Sequence, residues 1–252
     1  MIGKGIPERK MKNLISAIQF ITRLPVGRPG TFEPVGMIPF FPIVGLLIGA
    51  LLAAFDHAAS QLWSRNMTAI LDGVFLIWIT GAFHIDGLGD TADGLYGNRP
   101  RDKALRIMKD SRIGAMALVT VISALAVKWG AIADLDRHRA LFLLIIPAYA
   151  RGSMLFGFRF LSYGRPDGGT GHALFRKPLT FGDFWGLSIP IGLSALAGFQ
   201  GLAVTVVFIA VVVAVLQFYR RRMGCITGDM LGAMTEIMEA ALFAAAAAGG
   251  AL

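Results

Sequence analysis

The chain has 252 residues, 55% hydrophobic and 16% charged, with a formal net charge of +8 and a mean hydropathy of +0.64. Soluble domains carry about 25% charged residues, so the composition excludes an ordinary soluble protein and predicts an all-α, polytopic integral membrane bundle, residues 1–252 forming one membrane-embedded domain. The basic excess reads as membrane anchoring and attraction to anionic lipid rather than as nucleic-acid binding, and the single cysteine, Cys225, excludes an internal disulfide and a multi-cysteine metal site.

The N-terminus starts basic, with Lys4, Arg9, Lys10 and Lys12. The apolar run that follows is interrupted by Gln19 and Arg23, and no small-residue cleavage site comes after it, so no secretory signal is expected. Residues 11–24 read as an amphipathic helix with Leu14, Ile15, Ile18 and Ile21 on one face. It is too short and too polar to span, so residues 1–37 are expected to form a cytoplasmic or interfacial segment. About seven spans follow: 38–55, 67–83, 114–133, 140–161, 184–217 broken in two near Gly198 to Gly201, and 230–252 if its alanine-rich end inserts. Gly45 and Gly49 in the first span form a G-x-x-x-G that favours close helix contact.

Lysine and arginine counts alternate between connections. The N-terminal segment has six, loop 56–66 has one, loop 84–113 has six, and loop 134–139 has two. Loop 162–183 has three, the break near 198–201 has none, and 219–229 has three. The pattern places the N-terminus in the cytoplasm, with 84–113, 162–183 and 220–229 on that same side.

These three segments carry the unusual chemistry. Phe83-His84-Ile85-Asp86-Gly87-Leu88-Gly89-Asp90-Thr91-Ala92-Asp93-Gly94 sets three aspartates among glycines. On a helix, Asp86, Asp90 and Asp93 fall in a stripe roughly 60° wide, at about 100° per residue. Like charges on one stripe repel, and Mg²⁺ or Mn²⁺ would remove that repulsion. The glycines would leave room for a phosphate near the backbone. His84 reads equally as a general base or as an interfacial side chain without a chemical role. Lys109 and Arg112 could hold phosphate oxygens beside the aspartates. The loop holding Arg165, Gly169, Thr170 and His172 exposes backbone N–H groups suited to an anion. Asp229, after Thr227, could complete a metal site. In the spans, Glu236 needs protonation, an arginine partner or a polar cavity, and Arg151 needs a partner, Glu236 or a substrate phosphate. The positions His57, His138, Asp134 and Asp136 read as ordinary loop residues.

Metal-binding carboxylates with basic groups and glycines on one membrane face fit phosphoryl or phosphodiester transfer. Asp90-Thr91-Ala92-Asp93-Gly94 contains the D-x-x-D-G that opens the CDP-alcohol phosphotransferase signature, but the Ala-Arg that should follow is absent. A transporter using Asp86, Glu236 and Arg151 is a further reading; the clustering of the aspartates at one mouth and the lack of an inverted repeat argue against it.

The run 83–94 resembles the signature of the cobalamin synthase family, the adenosylcobinamide-GDP ribazoletransferases. Segments 19–26, 107–114 and Thr227-Gly228-Asp229 with Leu231-Gly232-Ala233 are similar to that family too, so the resemblance covers essentially the whole chain. Cys225 departs from it, standing where a second glycine is expected. The resemblance implies a Mg²⁺-dependent inner-membrane transferase, with adenosylcobinamide-GDP and α-ribazole or its 5′-phosphate as substrates and GMP released. It assigns Asp86, Asp90, Asp93 and Asp229 to metal and pyrophosphate, a carboxylate or His84 to the hydroxyl proton, and Lys109, Arg112 and Arg165 to phosphates. A homo-oligomer is compatible with the sequence, which does not specify one.

Overall fold

The computed structural model describes residues 5–27, 34–165 and 170–248. Its regular structure among these residues is helical, with no strand and one isolated bridge between Tyr163 and Ile226. The helices are α1 (Gly5–Ile21), α2 (Pro34–Met37), α3 (Phe41–Ala59), α4 (Arg65–Thr80), α5 (Phe83–Leu95), α6 (Arg101–Ile107), α7 (Ala115–Asp134), α8 (Arg139–Phe160), α9 (Thr170–Leu174), α10 (Ser188–Ser194), α11 (Gly198–Arg222) and α12 (Gly228–Ala248).

The bundle is built around α8, which is buried along most of its length despite Pro147 inside it. The G-x-x-x-G of α3 makes its contact here. A Cβ on Gly45 would overlap the backbone of Ala148, and one on Gly49 would overlap the carbonyl of Leu144. Without side chains at these two positions the backbones of α3 and α8 meet directly, which suits helices that gain no hydrophobic driving force from lipid.

Two departures from the expected spans have identifiable causes. The run 67–83 ends early. Gly81 adopts a left-handed conformation (φ 62°), and the Ala82 N–H closes back on the Ile77 carbonyl at 2.9 Å. This is a Schellman-type stop, and α5 restarts bent by 92° from α4. The second departure is in 181–222. Ser194 and Thr205 both hydrogen-bond the Tyr149 hydroxyl, at 2.9 Å each. Eleven residues of straight helix would hold them about 16 Å apart, so the chain turns back at Gly198 as the sequence suggests. The arm before the turn, however, is α10 flanked by short 3₁₀ pieces. Among the described residues, five helical stretches are long and apolar enough to span, or six if α4 and α5 form one broken span, with 181–222 counted once although it turns back at Gly198.

Candidate functional site

A cavity of about 770 Å³ lies where α5, α6, the 163–165 segment, α9 and the start of α12 meet. Its polar wall includes Asp86, Arg101, Arg106, Lys109, Arg165 and Asp229. The three segments singled out in the sequence therefore share one cavity. Phe20, Phe41, Phe83, Met154 and Phe158 line its apolar side, with the Phe20 ring stacked on Phe41 and edge-on to Phe83.

Backbone pairing joins two of the walls. The Gly164 N–H donates to the Ile226 carbonyl and the Ile226 N–H donates to the Ser162 carbonyl, both at 2.9 Å. Cys225 packs against Gly164 at this seam; burial pushes its thiol pKa up, while nearby Arg101 acts in the opposite sense. The zipper sets Arg165 beside Asp229, where the guanidinium donates to the carboxylate at 2.7 Å. The Thr227 hydroxyl accepts from the Met230 N–H at 3.3 Å and caps the start of α12.

The glycines of the aspartate stripe have a packing role. A Cβ on Gly87 would lie 2.7 Å from the Asp229 carbonyl oxygen, on Gly89 3.3 Å from Ala117, and on Gly94 2.5 Å from Met108. Gly87, Gly89 and Gly94 thus admit α12, α7 and the end of α6 respectively. Gly232 returns the contact, a Cβ there lying 3.3 Å from the His84 backbone. Room for a phosphate is not their main use, although Gly87 also borders the cavity.

The aspartates divide by role. Asp86 is exposed on the cavity wall. Asp90 is half-buried, within electrostatic reach of Asp86, Asp229, Arg165 and Asp93. Neither has a hydrogen-bond or ion-pair partner among the described residues. Asp93 is committed locally: its oxygens accept the Gly114 N–H at 2.6 Å and the Ala117 N–H at 2.9 Å, capping α7. Among the described residues, no group of three or more His, Cys, Asp or Glu side chains is arranged to hold a metal ion. Two open carboxylates nevertheless suit Mg²⁺, a hard cation usually held by one or two carboxylates with waters and substrate phosphates.

Other predicted residues lie elsewhere. His84, on α5, is fully buried, and both ring nitrogens lack a hydrogen-bond partner among the described residues. Arg112, its side chain 88% exposed, grips Asp110 at 2.5 Å, outside the cavity lining; that contact holds the Asp110 carboxyl at about 2. Arg151, expected at a phosphate or on Glu236, instead donates to Glu239 inside the bundle. Glu236 takes Lys128, whose Nζ lies 2.5 Å from Glu236 and 2.7 Å from Glu239. Gly169 and the Thr170 side chain lie outside the described residues.

Sequence reasoning missed Arg101 and Arg106 as cavity residues, and Lys128 altogether. The signal for Lys128 was available, as a lysine deep in an apolar run requires an acid on a neighbouring span.

The profile of the cobalamin-5-phosphate synthase family matches residues 13–247. Among curated relatives, the adenosylcobinamide-GDP ribazoletransferase of Alkaliphilus metalliredigens is 32% identical over 240 residues, covering 91% of this chain and 92% of the relative. The proteins of that name from Brevibacillus brevis (91% of this chain, 95% of the relative) and Pseudomonas syringae pv. syringae (90% and 95%) are each 36% identical. No solved structure matches the chain at a comparable level. With the profile spanning nearly its whole length, the chain belongs to the cobalamin-5-phosphate synthase family.

Proposed function

We propose that the chain is an adenosylcobinamide-GDP ribazoletransferase, acting at the end of cobalamin assembly. The observation that carries this, beside family membership, is the cavity with Asp86 and Asp229 on its wall and four cationic side chains beside them. A hydroxyl of α-ribazole, or of its 5′-phosphate, attacks the phosphorus that bears the cobinamide. A new P–O bond forms, the bond to the bridging pyrophosphate oxygen breaks, and GMP leaves with that oxygen.

Arg101, Arg106, Lys109 and Arg165 are placed to hold the pyrophosphate, replacing its hydration with fixed positive charge. The hydroxyl proton passes to a cavity carboxylate, Asp86 or Asp229, rather than to His84, which the cavity does not reach. The aromatic side, Phe20, Phe83 and Phe158, offers the flat apolar surface that suits the ribazole base. Asp86 and Asp90 would hold Mg²⁺, which when bound neutralises pyrophosphate oxygens and the leaving group. Arg101, Arg106 and Lys109 belong to a connection as rich in basic residues as the N-terminal segment, which supports a cavity opening to the cytoplasm.

The test is purified protein in phospholipid vesicles with Mg²⁺, adenosylcobinamide-GDP and α-ribazole. Release of GMP together with a cobamide product is the expected result. GMP formation that does not require α-ribazole, or none at all, overturns the assignment.

A further inference from the structure

A second cavity, of about 480 Å³, lies on the other side of α5 from the aspartate stripe, between α5, α7, α11 and α12. Its size falls within the roughly 300–1,000 Å³ of ligand-sized pockets. Leu88, Leu95, Met116, Val215, Phe218 and Ile237 make it apolar. Phe218 is 51% and Ile237 38% exposed, and both sit on helices long and apolar enough to span, so the groove opens toward acyl chains rather than water.

Two features say what covers it. Thr91 also lines the groove, is 6% exposed, and its hydroxyl has no hydrogen-bond partner among the described residues. Three other helical threonines turn the hydroxyl back on the carbonyl four residues earlier, Thr80 on Leu76, Thr205 on Gly201 and Thr235 on Leu231, while Thr68 on α4, away from the groove, is also buried with an unpaired hydroxyl. Thr91 does not, and a hydroxyl left unpaired in an apolar setting is unfavourable. The second feature is charge. On α11, Arg221 and Arg222 follow Phe218 by three and four residues, so they continue the groove-lining face past its end. Arg222 donates to the Gly97 carbonyl. Arg221 is exposed and has no partner among the described residues.

We propose that this groove is a binding site for an anionic phospholipid. One acyl chain lies along α11 and α12, an ester carbonyl accepts the Thr91 hydroxyl, and the headgroup phosphate rests on Arg221 with Arg222. Thr91 stands between Asp90 and Asp93 in the chain, so the lipid backs the helix that carries the aspartates. The site takes a lipid and not a second copy, because a cationic end and an unpaired hydroxyl call for a phosphate and a carbonyl on one slender molecule.

The test is native mass spectrometry of detergent-purified full-length protein titrated with dioleoyl phosphatidylglycerol or dioleoyl phosphatidylcholine. Wild type is expected to bind one phosphatidylglycerol at least tenfold more tightly than phosphatidylcholine. Two variants should each lose that preference while eluting and melting like wild type: the charge reversal R221E/R222E, and A214W, which fills the groove from an exposed position on its α11 wall. Equal binding of the two lipids by wild type, or an unchanged preference in A214W, overturns the proposal. A wild-type dimer that A214W dissociates assigns the groove to a second copy and overturns it too.

Discussion

Replacing Lys128 by Met tests whether buried charge holds the helices behind the aspartates together. Lys128 on α7 reaches Glu236 at 2.5 Å and Glu239 at 2.7 Å on α12, and Arg151 on α8 takes the other oxygen of Glu239. All four side chains are at most 4% exposed. Two cations and two anions balance. The substitution K128M leaves one uncompensated carboxylate in an apolar interior, and removing one member of a buried pair costs about 3–5 kcal/mol. That is a large share of the roughly 5–15 kcal/mol that stabilises a typical protein. The added change E236Q removes the surplus charge while Glu239 keeps Arg151, so K128M/E236Q should recover part of the loss. Thermal unfolding of the detergent-solubilised protein, or titration with a denaturing detergent, reads both variants. A coupling energy of about 0.5–3 kcal/mol is expected from groups in contact. If K128M/E236Q is no more stable than K128M, the charge-balance account fails, and Lys128 matters only through its volume.

The remaining predictions concern the cavity. Asp86→Asn and Asp90→Asn should each insert normally and lower Mg²⁺-dependent GMP release by about tenfold or more; full activity in both would remove the proposed metal site. Asp93→Asn should instead cost about 0.5–2 kcal/mol of stability through the α7 cap, measured as a lower melting temperature. Arg112→Ala should leave activity within about twofold, whereas Arg106→Ala and Lys109→Ala should raise the KM for the GDP-activated donor by about tenfold, the weight of one charge-assisted contact. Gly87→Ala places a methyl group 2.7 Å from a backbone oxygen of α12, which overpacks the crossing by about 1–3 kcal/mol. Gly73→Ala, with nothing within 4 Å of the new Cβ, should be neutral or stabilising, so equal melting temperatures of the two variants would contradict the packing role of Gly87.

What the sequence made legible is governed by the range of the signal. Membrane class, the α3 glycine pair and the turn at Gly198 are local patterns, and each has its counterpart in the structure. The convergence of the three unusual segments was readable for a different reason: the alternation of basic connections assigns 84–113, 162–183 and 220–229 to one face, and residues of each line the cavity. What stayed hidden depends on rotation about helix axes and on contacts between distant segments. Spacing places Asp229 and Glu236 on one face of α12, but it does not say that α7 presents Lys128 to Glu236 while Glu239, turned about 80° away, receives Arg151 from α8.

The stripe of Asp86, Asp90 and Asp93 illustrates the same limit most sharply. Helical spacing makes the three equivalent. The 92° turn at Gly81 and Ala82 then lays α5 across the starts of α7 and α12. One end of the stripe meets the free N–H groups of α7, where Asp93 serves as a cap. The other end faces the cavity, where Asp86 remains open. A signal for the turn was present, since Gly81 lies within the last three residues of the apolar run 67–83 and glycine is the usual residue just past a helix end. Reading Gly81 as a stop would have separated the capping aspartate from the open ones, because a helix that restarts there no longer has to continue the line of α4. The chemistry of the motif therefore rests on a conformational choice at two residues that carry no charge.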